Sequence, residues 1–383
     1  MALLIFFSKL FTFIGLLGLF GSTWGGPLVA WLIFVFTGKS TQSPVRLISS
    51  RSQLTVEGFV PVHNEEKILS QTLLSLLKAS EVAECNLDLT VGLDHSTDKS
   101  HEIAQALGCN TQEHLGRPGK WFVLKGLIEK STAEWIALVD AGSTWDPELL
   151  KAAVPYFLDP QVVCVAPTYS PQKAGLLESF FWRLEQHFKS IESKTGGPVT
   201  AHGATIFYRA QSLKAVLAQL GEDHWLNDDV VVPLLMRMSH PEHKLVYLTR
   251  PNRAWVSDIG VDLRMDSEYR RRKRMVTGNI QWVSEIFFKR LVQNPIASMI
   301  ASRRVFRLFW AYWILFLSLG LIGYLIVHGF FNLPVVLFTS FFMVSAMLAS
   351  NMLRRIFMAF LSGLQIPFAW KKWVSHRQGV LWA

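Results

Sequence analysis

Several polar stretches in the middle of the chain carry side chains able to do chemistry. Pro61-Val62-His63-Asn64-Glu65-Glu66, Leu93-Asp94-His95-Ser96-Thr97-Asp98 and Asp140-Ala141-Gly142-Ser143 each follow an apolar run and bring carboxylates to its end. Carboxylates in such places accept hydrogen bonds from a ligand, hold a hard cation or take a proton. Gly116-Arg117-Pro118-Gly119-Lys120 precedes a helical pattern, where a lysine and free backbone amides favour an anion. Asn227-Asp228-Asp229 leads into Val230-Val231-Val232, and Arg270-Arg271-Arg272-Lys273-Arg274 concentrates positive charge. Plainer roles compete with these. Asp94 or Ser96 suits the cap of a helix at Asp98, paired aspartates are common in a first helical turn, and a basic cluster also suits lipid headgroups.

The apolar runs before these turns read as strands: Leu54 to Val62, then alternation through Leu87, Leu89, Val91 and Leu93, then Trp135 to Val139. Helical spacing recurs at Ile68, Leu69, Thr72, Leu73, Leu76 and Leu77, from about Asp98 to Leu107, and from Trp121 to Lys130. Later strands are expected at Val162 to Ala166, Ala204 to Tyr208 and Leu245 to Leu248. Strand–helix alternation predicts an α/β, Rossmann-like fold with a mostly parallel sheet and its ligand crevice at the carboxyl ends of the strands. No GxGxxG turn follows the first strand, which argues against a nicotinamide-dependent oxidoreductase.

The two ends are different. The 383-residue chain is 50% hydrophobic with a positive mean hydropathy, too apolar to be wholly soluble. Leu3 to Phe36 contains one charge, Lys9, and predicts one tilted span or two short ones. Its length and non-basic start do not fit a cleaved signal peptide. Leu308 to Val327 and Leu333 to Met352 predict a helical hairpin. Lys39, Arg46, Arg51, Arg303, Arg304, Arg307, Arg354 and Arg355 flank these segments and place the centre in the cytoplasm, at an inner or plasma membrane. Ile280 to Leu291 and Ile356 to Trp370 are expected to lie near the headgroups. Much of the net charge of +9 sits beside these apolar segments, so lipid and not nucleic acid is the implied partner. Cys85, Cys109 and Cys164 show no metal or disulfide spacing.

Together these motifs resemble the family-2 glycosyltransferases, the group that includes cellulose, chitin and hyaluronan synthases and ceramide glucosyltransferase. The resemblance spans roughly Thr55 to Gln281. It implies a GT-A fold, an inverting reaction and a nucleotide-sugar donor, most simply a UDP-sugar. It also implies roles. Pro61, Glu65 and Asp94 would hold the uracil and ribose, and Lys120 with Arg271 and Arg274 the diphosphate. Asp140 would hold Mg2+ or Mn2+; the second carboxylate of that motif is Gly142 here, with Asp146 or a histidine as possible substitutes. Asp229, with Asp228 beside it, takes the position of the general base, and His202, Gly203 and Met275 that of acceptor contacts, with a histidine satisfied by packing as the equal alternative for His202. A tryptophan of polymerising members is Met275 in this chain, which weakens the case for moving a growing polymer.

The predicted layout is a membrane anchor over 1–38, a GT-A domain over 52–282, an amphipathic interface segment over 283–307, a transmembrane hairpin over 308–353 and a tail over 354–383. The expected function is sugar transfer to a lipid or lipid-linked glycan at the inner membrane face, by the chain alone, as a homo-oligomer or with partner membrane subunits. A processive polysaccharide synthase subunit and an inactive assembly subunit are the alternatives.

Overall fold

The computed structural model describes residues 1–37, 54–171, 176–240, 242–250, 253–259, 265–330 and 360–375, with the single positions 332, 334 and 357. The apolar N-terminus forms α1 (Ala2–Phe20), a π-helical turn (Gly21–Gly25) and α2 (Gly26–Thr37), one unbroken helical run. The α/β part follows: β1 (Thr55–Val62), α3 (Leu69–Ala83), β2 (Asn86–Asp94), α4 (Ser100–Ala106), β3 (Asn110–His114), α5 (Lys120–Lys130) and β4 (Trp135–Val139). Next come β5 (Ser143–Trp145), α6 (Leu149–Phe157), β6 (Val162–Pro167), β7 (Tyr169–Ser170), α7 (Leu176–Ser193), β8 (Thr205–Arg209), α8 (Ala210–Leu220), α9 (Asp228–Ser239), β9 (Lys244–Leu248) and β10 (Val256–Asp258). The chain continues through α10 (Met265–Trp282), a second π-helical turn (Val283–Phe287), α11 (Phe288–Arg290), α12 (Pro295–Leu308), α13 (Trp310–Val327) and α14 (Ile366–Ser375).

The main sheet has seven strands in the order β3-β2-β1-β4-β8-β6-β9; only β8 runs against its neighbours. Its register aligns the strand ends. Val62 lies opposite Leu93, and Asp94 opposite His114, so the turns after β1, β2 and β3 sit side by side on one edge. All five residues of β4 are buried, as expected for a central strand covered on both faces. One face is covered by α3 and α6, with Trp135 stacked on Phe157 at 4.3 Å. The other is covered by α5, α8 and α9, whose Leu124, Leu213 and Val231 are fully buried.

Among the described residues, two helical runs are long and apolar enough to cross a membrane, Ala2–Ile33 and Trp310–Val327. They pack closely against each other: Ser8 Oγ donates to the Gly320 carbonyl at 2.8 Å, and a Cβ at Gly320 would stand 2.3 Å from Thr12 Oγ1. Small residues and a buried hydroxyl are what permit such an approach between apolar helices. The second arm of the expected hairpin, Leu333 to Met352, lies outside the described residues.

One expectation is corrected here, and another gains a second role. Ile280, Val283, Ile286 and Phe287 are buried in the core that covers the sheet, so most of Ile280 to Leu291 is not an interfacial surface; Phe288 and Leu291 at its end are exposed. Arg303 and Arg307, expected as basic flanks of a span, also bind the carboxylates of α7. Arg303 pairs with Glu185 at 3.0 Å and with Glu192 at 3.0 Å, and Arg307 pairs with Glu185 at 2.7 Å. α12 therefore joins the apolar helices to the α/β domain, with Gly21 and Gly26 allowing Phe306 and Arg303 to approach the N-terminal run.

Candidate active site

The turns after β1 and β2 interlock. Asn64 and His95 both adopt left-handed backbone, with φ of 57° and 52°, a conformation that Asn and His tolerate better than most residues. Asn64 Oδ1 accepts the Thr97 amide at 2.8 Å, Asp98 Oδ2 accepts the Glu66 amide at 2.9 Å, and Ser100 Oγ accepts the Glu65 amide at 3.1 Å. This lattice fixes Glu65 at a cavity of about 470 Å³. Asp94 is buried at its rim and accepts the Gly119 amide through Oδ2 at 2.8 Å. That bond sets the position of the next residue, Lys120. Gly119 has φ 136°, a backbone that a side chain would strain, so glycine is required to turn the chain into α5 here.

Lys120 is the electrostatic centre of the cavity. Its Nζ lies 2.7 Å from Asp140 Oδ1 and 3.1 Å from Asp228 Oδ2. Burial disfavours the ammonium, but Asp140 and Asp228 outweigh it and hold the lysine above its usual pKa. Asp140 is carried by the end of β4, its amide bonded to the Ala204 carbonyl. Asp228 and Asp229 open α9, and the Asp229 carbonyl accepts the Ala201 amide at 2.9 Å. Gly203 lies between the two sides: a methyl there would be 3.8 Å from Asp140 Oδ2 and 3.7 Å from Asp229 Cβ.

The two adjacent aspartates differ. Asp228 is committed to Lys120, whereas burial first and the neighbouring Asp228 second raise the Asp229 pKa above the ordinary carboxylate range. Burial also raises Glu65, with Asp98 adding to the effect.

Pro61, Glu65, Asp94, Lys120, Asp140, Gly203, Asp228, Asp229, Arg274 and Met275 all line this one cavity. α10 approaches closely enough to deliver Arg274 and Met275 because Gly278 lies against Asn227; a Cβ there would meet the Asn227 side chain at 2.6 Å. Arg271 is on α10, but its side chain lies outside the described residues. His202 is not on the cavity wall. Its ring packs against Trp182 and Tyr169, with Nε2 3.3 Å from the Tyr247 hydroxyl and 3.4 Å from Lys189 Nζ, and burial followed by Lys189 holds its pKa well below normal. Asp146 pairs with Arg250 at 2.5 Å. Arg304, from α12, expected only as a flank of an apolar segment, and Asn279, not singled out in the sequence, also line the cavity.

A divalent cation fits this arrangement in a limited way. The Asp140 side chain is 41% exposed beside the cavity, and Gly142 offers no second carboxylate. Among the described residues the acids here do not converge on one point as a three-ligand set; His240, Glu242 and His243 do, at the far end of α9. One carboxylate with the remaining positions filled by ligand phosphate and water is a normal environment for Mg2+ or Mn2+.

Residues 59–217 match the glycosyl transferase family 2 profile. The chain carries a family-2 glycosyltransferase domain. Its fold, GT-A, is shared with a mannosyltransferase from Pyrobaculum calidifontis solved with GDP-mannose and Mn2+. That structure is 16% identical, covers 94% of this chain and 99% of its own, and superposes with a TM-score of 0.65. Glucosyl-3-phosphoglycerate synthase from Mycobacterium tuberculosis, solved with phosphoglyceric acid, is 14% identical over 63% of this chain and 85% of its own, with a TM-score of 0.43. The sequence has no match among curated proteins. The matched domain makes the protein a glycosyltransferase.

Proposed function

We propose that the protein is an inverting, membrane-integral glycosyltransferase that moves a sugar from a nucleoside diphosphate sugar, a UDP-sugar first among them, to a lipid or lipid-linked glycan at the inner membrane face. The observation that carries this reading is Lys120, held between Asp140 and Asp228 in a cavity that also contains Asp229 and a wall from α12.

Glu65 and Asp94, at the turns after β1 and β2, offer acceptors to a nucleoside. Lys120 and Arg274 lie where they can balance the diphosphate charge that grows as the sugar leaves. Asp229, uncommitted to Lys120 and with a raised pKa, serves as general base. The acceptor oxygen forms a bond to the anomeric carbon from the face opposite the diphosphate. The bond from that carbon to the phosphate oxygen breaks, and the acceptor proton passes to Asp229. Asp140 would hold a divalent ion, which supplies further charge neutralisation at the diphosphate. The mannosyltransferase solved with GDP-mannose and Mn2+ supports both the metal and the need to test guanosine donors beside uridine ones. α1 and α13 supply the membrane-crossing helices, with the α/β domain in the cytoplasm.

The test is donor turnover by the detergent-purified full chain against a panel of UDP- and GDP-sugars, with Mn2+, Mg2+ or chelator. Turnover of one donor is expected, lost on chelation and restored by metal, and reduced in Asp140→Asn. Neither turnover nor binding of any donor with metal present would replace this reading with an inactive assembly subunit.

A further inference from the structure

One cation in the cavity has no assigned task. Arg304 lines the wall that α12 contributes. Its side chain is half-buried, its Nε is sealed from solvent without a hydrogen-bond partner, and the side chain makes no hydrogen bond or ion pair among the described residues. The neighbouring carboxylates do not serve it. Glu185 is taken by Arg303 and Arg307, and Asp228 and Asp140 by Lys120. Asp229 first and Glu185 second attract it electrostatically, neither through an ion pair.

The terminal nitrogens of Arg304 have no carboxylate of the described residues within ion-pair distance at the cavity wall, and a planar guanidinium fork matches two oxygens of a phosphate. Its location narrows the source. Glu65 and Asp94 belong to strand-end turns of the α/β domain, whereas Arg304 is on the helix that packs on the Gly21–Gly25 turn and α2 of the apolar N-terminal run. The same helix exposes Ile296 and Met299, as an element beside lipid would. An acceptor arriving from the bilayer side meets Arg304 beside Asp229.

We infer that Arg304 binds the phosphate of an anionic lipid acceptor and so places that acceptor against Asp229. This deepens the proposed function and rests on it. The competing source of the same chemistry is the diphosphate of the donor.

The experiment titrates the detergent-purified full chain, wild type, Arg304→Ala and Arg304→Lys, with farnesyl phosphate, farnesol, inorganic phosphate and UDP, following the thermal unfolding midpoint as ligand concentration rises. Farnesyl phosphate is expected to bind wild type more tightly than farnesol or inorganic phosphate. Arg304→Ala should weaken it by about 10- to 100-fold, the range for a charge-assisted contact, and Arg304→Lys should restore part of that. UDP affinity should stay within about 2-fold, well below a lost charged contact. Equal weakening of UDP would assign Arg304 to the donor. Unchanged farnesyl phosphate binding in Arg304→Ala, or no binding to wild type, or inorganic phosphate binding as tightly, would also overturn the inference. Donor turnover by the same wild-type sample reports separately on the glycosyltransferase reading.

Discussion

Asp229→Asn separates chemistry from binding and from folding in this site. The substitution keeps the shape of a buried side chain and removes its ability to take a proton. A positioned general base typically contributes about 10²- to 10⁴-fold, so kcat is expected to fall by that factor, equivalent to about 2.7–5.4 kcal/mol of barrier at about 1.36 kcal/mol per tenfold. Donor affinity is expected to be nearly unchanged, because Lys120 is bonded to Asp140 and Asp228 and not to Asp229. The sign of the stability effect is also determined. Burial and Asp228 raise the folded-state pKa of Asp229, so ionising it disfavours the fold at any pH above its unfolded value. Asparagine removes that cost, and the unfolding midpoint at neutral pH should hold or rise. In wild type the rate should fall as pH drops through a value above the normal carboxylate range, a limb absent from the residual activity of the variant. Asp228→Asn should act differently, by loosening Lys120 and raising the donor KM. Steady-state kinetics over pH, donor titration and thermal unfolding on the same preparations make the comparison. Asp229→Asn with kcat within about 10-fold of wild type would refute the assignment of the base.

Two further outcomes follow from other contacts. Arg303→Ala leaves Glu192, 2% exposed, without its partner, and is expected to cost about 3–5 kcal/mol in unfolding free energy, measured by denaturant titration in detergent. Gly119→Ala puts a side chain on a backbone of φ 136° and disturbs the amide held by Asp94. It should cost about 1–3 kcal/mol of stability and raise the donor KM through displacement of Lys120, read by the same kinetics.

The sequence made the catalytic edge legible because each motif sits where an apolar strand ends, and strand ends converge by topology alone. β1, β2 and β4 are short, apolar and bounded by polar turns, so their positions could be read directly. β3 could not: Asn-Thr-Gln-Glu-His has no apolar alternation, and it is a strand only because it completes the sheet edge beside β2. The role of α12 was hidden for another reason. Arg303 and Arg307 look like membrane flanks until Glu185, more than a hundred residues earlier, is seen to pair with them. For His202 the sequence left an acceptor contact and a packed histidine open, because a histidine next to a glycine motif carries no mark of which side of the chain its ring will take; the aromatic packing of Trp182 and Tyr169 favours the second.

The adjacent arginines of α12 have a consequence for anyone who would work with a soluble fragment. Arg303 fastens the helix to α7, and Arg304 forms part of the reaction chamber, yet both belong to the segment that holds the apolar run of Gly21–Thr37 in place. A cut made at residue 282 to discard the greasy parts would keep every family motif and still remove a side of the vessel, letting solvent reach the base and leaving Glu185 and Glu192 bare. The apolar helical portion, with α12, is not a tether attached to a finished domain but supplies one of the surfaces that enclose the cavity.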